Sequence, residues 1–307
     1  MISIVTTLYK SESHIAEFYK KIVSAIKEAS FSEYEIIFVN DGSPDKSEDK
    51  CKQLIKNDKN VLIVKLSRNF GHHNAILAGL NESKGEHIFL IDIDLEEDPN
   101  WLVNFSKSLK SQSAECVYGV QVTRRGGGFD KFTGWLFYKL INFFSNIDVP
   151  HNLVTARLMT RKYLNSLLSF KERDIAIGAF YILTGYKQIP IKVEKKSTSE
   201  TTYTLSKKID TAISGITSLS AKPLELIFYF GLITIFVSII FIITIFYLYI
   251  VHDVTQGWAS LATMIIFFSG IIISFLGMIG LYLGKILSEV KMRPNFIIEK
   301  VINKDNV

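Results

Sequence analysis

Ile88-Phe-Leu-Ile-Asp92-Ile-Asp94-Leu-Glu96-Glu-Asp-Pro99 is a short apolar run that ends abruptly in carboxylates. Four apolar residues in a row, Ile88 to Ile91, fit a strand of a parallel sheet buried on both faces. Asp92 and Asp94 stand two apart, so a continuing extended backbone would point both side chains the same way. Open α/β sheets bind ligands at the carboxyl ends of their strands. Two carboxylates on one side repel each other unless a cation lies between them, and a divalent ion with oxygen ligands fits that need. The plainer alternative is a solvated turn in which Asp98 caps a helix begun by Pro99.

Outward from this stretch, strand and helix alternate. Strands are expected at Ile2–Thr7, Glu35–Val39, Val61–Leu66, Glu86–Ile91 and Glu115–Val120. Helices are expected between them at His14–Ala29, Asp45–Asn57, His72–Ser83 and Pro99–Gln112. Short joints between alternating elements predict an α/β fold with a mainly parallel sheet flanked by helices. Two further strand ends carry polar groups. Asn40-Asp41-Gly42-Ser43 offers a carboxylate and an amide that suit a nucleobase or ribose, or else an N-cap turn. Ser67-Arg68-Asn69-Phe70-Gly71 offers Arg68 to a diphosphate, unless Arg68 is only a surface turn residue.

Composition sets the frame. The 307 residues are 48% hydrophobic, with net charge +5, pI near 8.9 and mean hydropathy +0.22. That charge is a mild bias and not the footprint of a nucleic-acid binder. Cys51 and Cys116 make no disulfide framework and suit a reducing compartment. The six histidines form no zinc spacing with cysteine, although His72 and His73 are adjacent. The first residues lack the basic, apolar and small series of a signal peptide.

Apolarity is concentrated late. Leu224–Val251 and Leu261–Leu283 are long apolar stretches, and about 20 such residues cross a bilayer. The joint between them has no Lys or Arg. Lys207, Lys208 and Lys222 precede the pair, while Lys285, Lys291, Arg293, Lys300 and Lys304 come after it. The positive-inside rule then predicts a multi-pass protein of the cell (inner) membrane, with both termini and the domain that precedes the pair cytoplasmic. Gly270, Gly277, Gly280 and Gly284 allow close helix contact within the hairpin or between copies in a homo-oligomer. The predicted organisation is residues 1–208 as the soluble-type domain, 209–222 as an interface helix and 223–307 as the membrane hairpin with a short tail. Gly126–Asn146 reads as an aromatic-rich helix, suited equally to a core and to a membrane surface.

Taken in series, Val39-Asn-Asp-Gly-Ser43, Leu66-Ser-Arg-Asn-Phe-Gly71 with Ala78-Gly79-Leu80, Ile91-Asp-Ile-Asp-Leu95 with Pro99, Tyr118-Gly119-Val120 and two C-terminal spans carry a resemblance. The chain resembles the polyprenyl-phosphate glycosyltransferases of the dolichyl-phosphate mannose synthase type, over nearly its whole length. The resemblance implies a GT-A-like domain, a nucleotide sugar donor, a polyprenyl phosphate acceptor, Mg2+ or Mn2+, and inverting transfer. It implies that Asp92, Asp94 and Glu96 hold the metal, with Glu96 where the family more often has Gln. It gives Tyr9, Asn40, Asp41 and Arg68 to the donor, and Arg124 and Arg157 to phosphate and catalysis. A metal there would offset the charge of the diphosphate leaving group. A phosphate monoester, with a second pKa of about 6, is anionic near neutrality and needs no strong base.

The chain departs from the family pattern in three places. Thr7-Leu8-Tyr9-Lys10-Ser11 keeps only the tyrosine of Pro-x-Tyr-Asn-Glu. Gln121 replaces an arginine. Val154-Thr155-Ala156-Arg157-Leu158-Met159 keeps the arginine of Gly-Asp-Phe-Arg-Leu-Met and loses its acid. Tyr203 and Lys207 are further candidates for the lipid headgroup. Transfer to a glycan hydroxyl, with Glu172 or Asp174 as base, is one alternative. A non-catalytic membrane scaffold that retains the nucleotide pocket is another.

Overall fold

In the computed structural model β1 (Ile2–Leu8), β2 (Tyr34–Asn40), β3 (Val61–Leu66) and β4 (His87–Leu90) form the parallel heart of one sheet. The structure describes residues 1–122, 139, 143–144, 150, 152–172, 177–196, 216–217, 220–251 and 257–307. The chain divides into two compact units, one of residues 1–138, 147–204 and 293–307, the other of 139–146 and 205–292.

In the first unit the sheet has eight strands in the order β7-β5-β6-β4-β1-β2-β3-β8. β5 is Cys116–Gln121, β6 Leu153–Thr160, β7 Gln188–Val193 and β8 Ile298–Ile302. β6 runs antiparallel to both β4 and β5, and β8 runs antiparallel to β3. The sheet is therefore mixed, though mainly parallel as expected.

Helices cover both faces. α1 (Ile15–Glu28), α2 (Ser47–Asn57) and α4 (Trp101–Ser111) bury Phe18, Ile22, Ile55, Leu102 and Phe105 on one face. α3 (His72–Glu82), α5 (Arg161–Ser169) and α6 (Ile177–Leu183) bury Ala75, Leu80, Tyr163, Leu164 and Phe180 on the other. Each such side chain stabilises the fold by roughly 1.5–3 kcal/mol on burial. Gly79 lets α3 lie close to the sheet, since a Cβ there would stand 2.6 Å from methyls of both Val5 and Val39.

Register aligns the strand ends. Leu8 pairs with Asn40, Asn40 with Lys65, and Val5 with Leu90. The segments after β1 to β4 therefore gather along one edge of the sheet, where ligands bind in such folds. One expectation is corrected here. β4 ends at Leu90, so Asp92 and Asp94 lie beyond the strand in a turn, and Leu95 adopts a left-handed φ of 63°. Extended alternation thus does not set the directions of Asp92, Asp94 and Glu96.

The second unit holds α7 (Lys222–Val251) and α8 (Trp258–Val290). Within it Tyr282 donates to the Ser220 carbonyl at 2.7 Å, and Phe230 meets Phe275 edge-on. Among the described residues one segment, Phe267–Val290, is long and apolar enough to cross a membrane, where the sequence leads to an expectation of two. It extends past the expected end at Leu283. Its large side chains, such as Phe267, Ile273 and Leu276, are exposed. Arg124, Arg125, Gly126–Gly128, Asp174, Tyr203, Lys207 and Lys208 lie outside the described residues, as do most of the expected aromatic and interface helices.

Candidate functional site

The turn after β2 is built from the inside. Asn40 and Asp41 are each only 3% exposed. The Asp41 carboxylate accepts from the Phe70 and Gly71 amides at 2.7 and 3.0 Å, and its carbonyl accepts from Asn69 at 3.1 Å. Asn40 accepts from the Ser43 amide and donates to Glu48. Gly42, at φ 62°, passes so close to the next loop that a Cβ would stand 2.6 Å from the Asn69 nitrogen. Only glycine meets both demands. Asp41 thus joins the loop after β2 to the loop after β3, while Asn40 holds its own loop to Ser43 and Glu48.

Two other expected donor contacts remain at the surface. Arg68 lies over the Phe70 ring at 4.3 Å, and Tyr9 is 50% exposed. The Lys10 amide donates to Ser43 at 2.7 Å, which draws the loop after β1 into the same group. Asp45, bonded by Ser43, Ser47 and the Glu12 amide, is held down at about 2 against the opposing pull of burial. Ser11, at the lost acid of the opening motif, is buried and exchanges hydrogen bonds with the Tyr9 backbone.

The acidic loop forms the adjacent part of the edge. Asp94 accepts from the Glu96 amide at 3.0 Å, and burial, then the charges of Asp92 and Glu96, raise its pKa against that bond. Glu97 is fully buried, accepts from the Thr155 amide at 2.9 Å and faces Lys195 at 3.3 Å. Burial foremost, with the Asp92 charge second, pushes Glu97 up to about 7. Lys195 also lies 3.8 Å from Glu96, and Lys196 lies 3.5 Å from Asp98. Asp98 accepts from the Asn100 amide in the turn before α4, whose N-cap is Asn100, so Asp98 does not fill the capping role of the plainer alternative. His72 stands 3.5 Å from Asp92 and 3.2 Å from the Thr7 hydroxyl.

Carboxylate oxygens crowded enough to raise a neighbour's pKa suit a hard divalent cation. Among the described residues no three His, Cys, Asp or Glu groups are placed to share one ion. Mg2+ is commonly held by one or two carboxylates with substrate phosphates completing the shell, and the carboxylates of this loop are of the type such an ion takes. Glu96 stays beside the pair, with its amide on Asp94 at 3.0 Å, and its carboxylate also faces Lys195 at 3.8 Å.

Arg157 is not in this loop. It is 3% exposed on β6, donates to the Thr155 and Val154 carbonyls, and has its guanidinium carbon 3.2 Å from the centre of the Tyr181 ring. Glu172 is exposed at the surface. Sequence reasoning passed over Glu97, Lys195 and the placement of His72. The adjacent histidines were a visible signal without a partner, and Lys195 sits in a polar stretch with none.

The model of Glycosyl transferase family 2 matches residues 3–168, which include the loops after β1, β2, β3 and β4. The chain belongs to glycosyl transferase family 2. It is 37% identical to a protein named "Putative glycosyltransferases" of Mycobacterium tuberculosis, over 99% of this chain and 89% of that one. It is 31% identical to the "Prophage bactoprenol glucosyl transferase homolog" of Escherichia coli, over 98% and 99% of the two chains. Among solved structures it resembles glucosyl-3-phosphoglycerate synthase from Mycobacterium tuberculosis with phosphoglyceric acid, at 18% identity and a TM-score of 0.48, over 71% and 79%. As a family 2 glycosyltransferase, the chain has the GT-A-like fold that the resemblance implies, with a mixed sheet flanked by helices where a mainly parallel one is expected.

Proposed function

We propose that this glycosyltransferase moves one sugar from a nucleotide diphosphate donor to a polyprenyl phosphate, with inversion, and yields a lipid-linked monosaccharide on the cytoplasmic face. The observation that carries the reading is similarity over almost the full length of both chains to proteins named bactoprenol glucosyl transferase, at 30–31% identity. The acidic loop supports it from the side of chemistry. Asp92 and Asp94 would hold Mg2+ or Mn2+, which supplies charge compensation at the departing diphosphate. Tyr9 and Arg68 face the donor, while Asp41 acts on it through the loops it joins and Asn40 through the loop it braces. Arg124 serves the acceptor phosphate, whose own charge makes a strong base unnecessary.

Membrane attachment fits the same reading. β8 comes after the long helices in sequence, yet pairs with β3, which precedes them. A chain that crossed a bilayer once would leave these two strands on opposite sides. Crossing by Phe267–Val290 would then call for a return crossing, and α7, 30 residues long, is our candidate for it by length. The lysines and arginines that flank the pair put both ends in the cytoplasm.

The test is a panel of nucleotide sugars given to the purified full chain with undecaprenyl phosphate and Mn2+. One labelled sugar should enter the lipid fraction through a sugar-phosphate bond, and Asp94→Ala should reduce transfer by at least a hundredfold. A glycosidic product, or undiminished transfer by Asp94→Ala, refutes the acceptor or the metal assignment respectively.

A further inference from the structure

Asp92 and Asp94 are anchored by different means. The Asp94 carboxylate accepts from the Glu96 amide at 3.0 Å, so the backbone of its own turn holds it. The Asp92 carboxylate instead meets a side chain from another element, His72, whose Nε2 stands 3.5 Å from Oδ1. The other ring nitrogen, Nδ1, lies 3.2 Å from the Thr7 hydroxyl. A hydroxyl of β1, an imidazole of α3 and a carboxylate of the acidic loop thus form one connected series.

The fold brings the three together. Val5 and Thr7 alternate with Thr6 on β1, so they share the face of the sheet that α3 covers. Gly79 closes on Val5, and His72 lies about two helical turns before Gly79 on the same side of α3. α3 starts at the ligand edge and runs back over the sheet, which sets His72 beside Thr7. A carboxylate only accepts hydrogen bonds, so the ring is favoured with its proton on Nε2, toward Asp92. Nδ1 then accepts from the Thr7 hydroxyl, and that bond fixes the tautomer. The His72 side chain is 47% exposed, so it adds little to packing. What it adds is direction.

We propose that His72 is a positioning residue: its imidazole, set by the Thr7 hydroxyl, holds the Asp92 carboxylate ready for a divalent ion. The role rests on the metal assignment in the reading of function above, and it needs no contact between His72 and the ion. A partner that orients a ligating carboxylate is worth about 10–100-fold in metal affinity, because the ligand need not be ordered when the ion arrives.

The experiment is an EPR titration of the purified full chain with Mn2+ alone. His72→Ala should weaken Mn2+ binding by about tenfold or more, and His72→Gln, whose amide still donates, should recover part of the loss. Thr7→Val, which removes only the hydroxyl, should weaken it by about threefold, and Thr7→Ser should restore it. Tm should stay within about 2 °C of wild type in His72→Ala, as for a surface substitution. Mn2+ affinity within about twofold of wild type in both His72→Ala and Thr7→Val overturns the positioning role and leaves the metal assignment standing. A loss of affinity matched by a Tm lower by about 5 °C or more overturns it in favour of a structural role. An imidazole nitrogen coupling in the echo-modulated spectrum of bound Mn2+ also overturns it, since His72 would then be a ligand. If the wild type binds no Mn2+, the metal assignment of the proposed function falls together with the role of His72.

Discussion

Asp41→Asn separates two roles that a buried aspartate at a nucleotide-binding edge can have. If Asp41 organises the loops, its worth lies in the two amides it holds, Phe70 at 2.7 Å and Gly71 at 3.0 Å. A hydrogen bond to a charged group contributes about 1.5–3 kcal/mol. In the asparagine one oxygen still accepts, while the amide nitrogen faces a backbone N–H and leaves it unpaired. The expected loss is about 2–3 kcal/mol, and about 3–5 kcal/mol for Asp41→Ala, which removes both acceptors. For a unit of this size each kcal/mol moves Tm by about 2–4 °C, so Asp41→Asn should lower it by roughly 5–10 °C. Circular dichroism melting of the purified full chain reads the stability, and calorimetry with the nucleotide donor reads the affinity. Both should fall together. A Tm within 1 °C of wild type with a tenfold loss of donor affinity would mean that Asp41 touches the donor directly, and the loop-organiser reasoning would be wrong.

Other consequences are as definite. Glu97 titrates near 7 in the fold against 4.5 as a free side chain, so the folded state holds its proton more strongly. The resulting stabilisation is fully present below pH 4.5, is lost as pH rises through 7, and amounts to about 3 kcal/mol. Denaturant titrations across pH 4–8 should show that slope in wild type and its loss in Glu97→Gln; parallel curves for the two would contradict it. Removing β8 with a stop codon after Met292 exposes the β3 edge and deletes the Lys65–Glu299 pair at 3.1 Å. The truncated chain should be cleaved by protease within the first unit at least tenfold faster. Unchanged cleavage would mean that the tail strand adds little.

Much of the fold could be read in the chain because periodicity is local. The apolar positions of α1, Ile15, Phe18, Ile22 and Ile26, are the residues buried against the sheet. β1 to β4 announce themselves as apolar runs that end in polar turns, and such ends locate the site. What was hidden depends on partners far along the chain. The antiparallel placement of β6 and the return of β8 to β3 join segments whose own sequences state no neighbour. Asp92 and Asp94 were read through strand alternation, which stops at Leu90, and the left-handed Leu95 turns the backbone before Glu96. Lys195 is one cation in a polar stretch until β7 brings it to Glu97.

The charges along this edge argue for a divalent ion independently of any resemblance. Five carboxylates lie between Asp92 and Asp98. Lys195 is engaged by Glu96 and Glu97, and Lys196 by Asp98. Only His72 approaches Asp92 among the ion pairs of the described residues, and Asp94 is in none of them. A diphosphate brought beside these two carboxylates meets like charge. At about 4 Å and an effective dielectric constant of 20, each unit pair costs about 4 kcal/mol. The lysines cannot turn to the diphosphate without leaving the buried Glu97 and its neighbours uncompensated, which itself costs several kcal/mol. A doubly charged ion between Asp92 and Asp94 turns that repulsion into attraction while leaving the lysine pairs in place. Under the proposed function, the lysines that follow β7 hold the outer carboxylates and the inner pair is left for the ion and the donor.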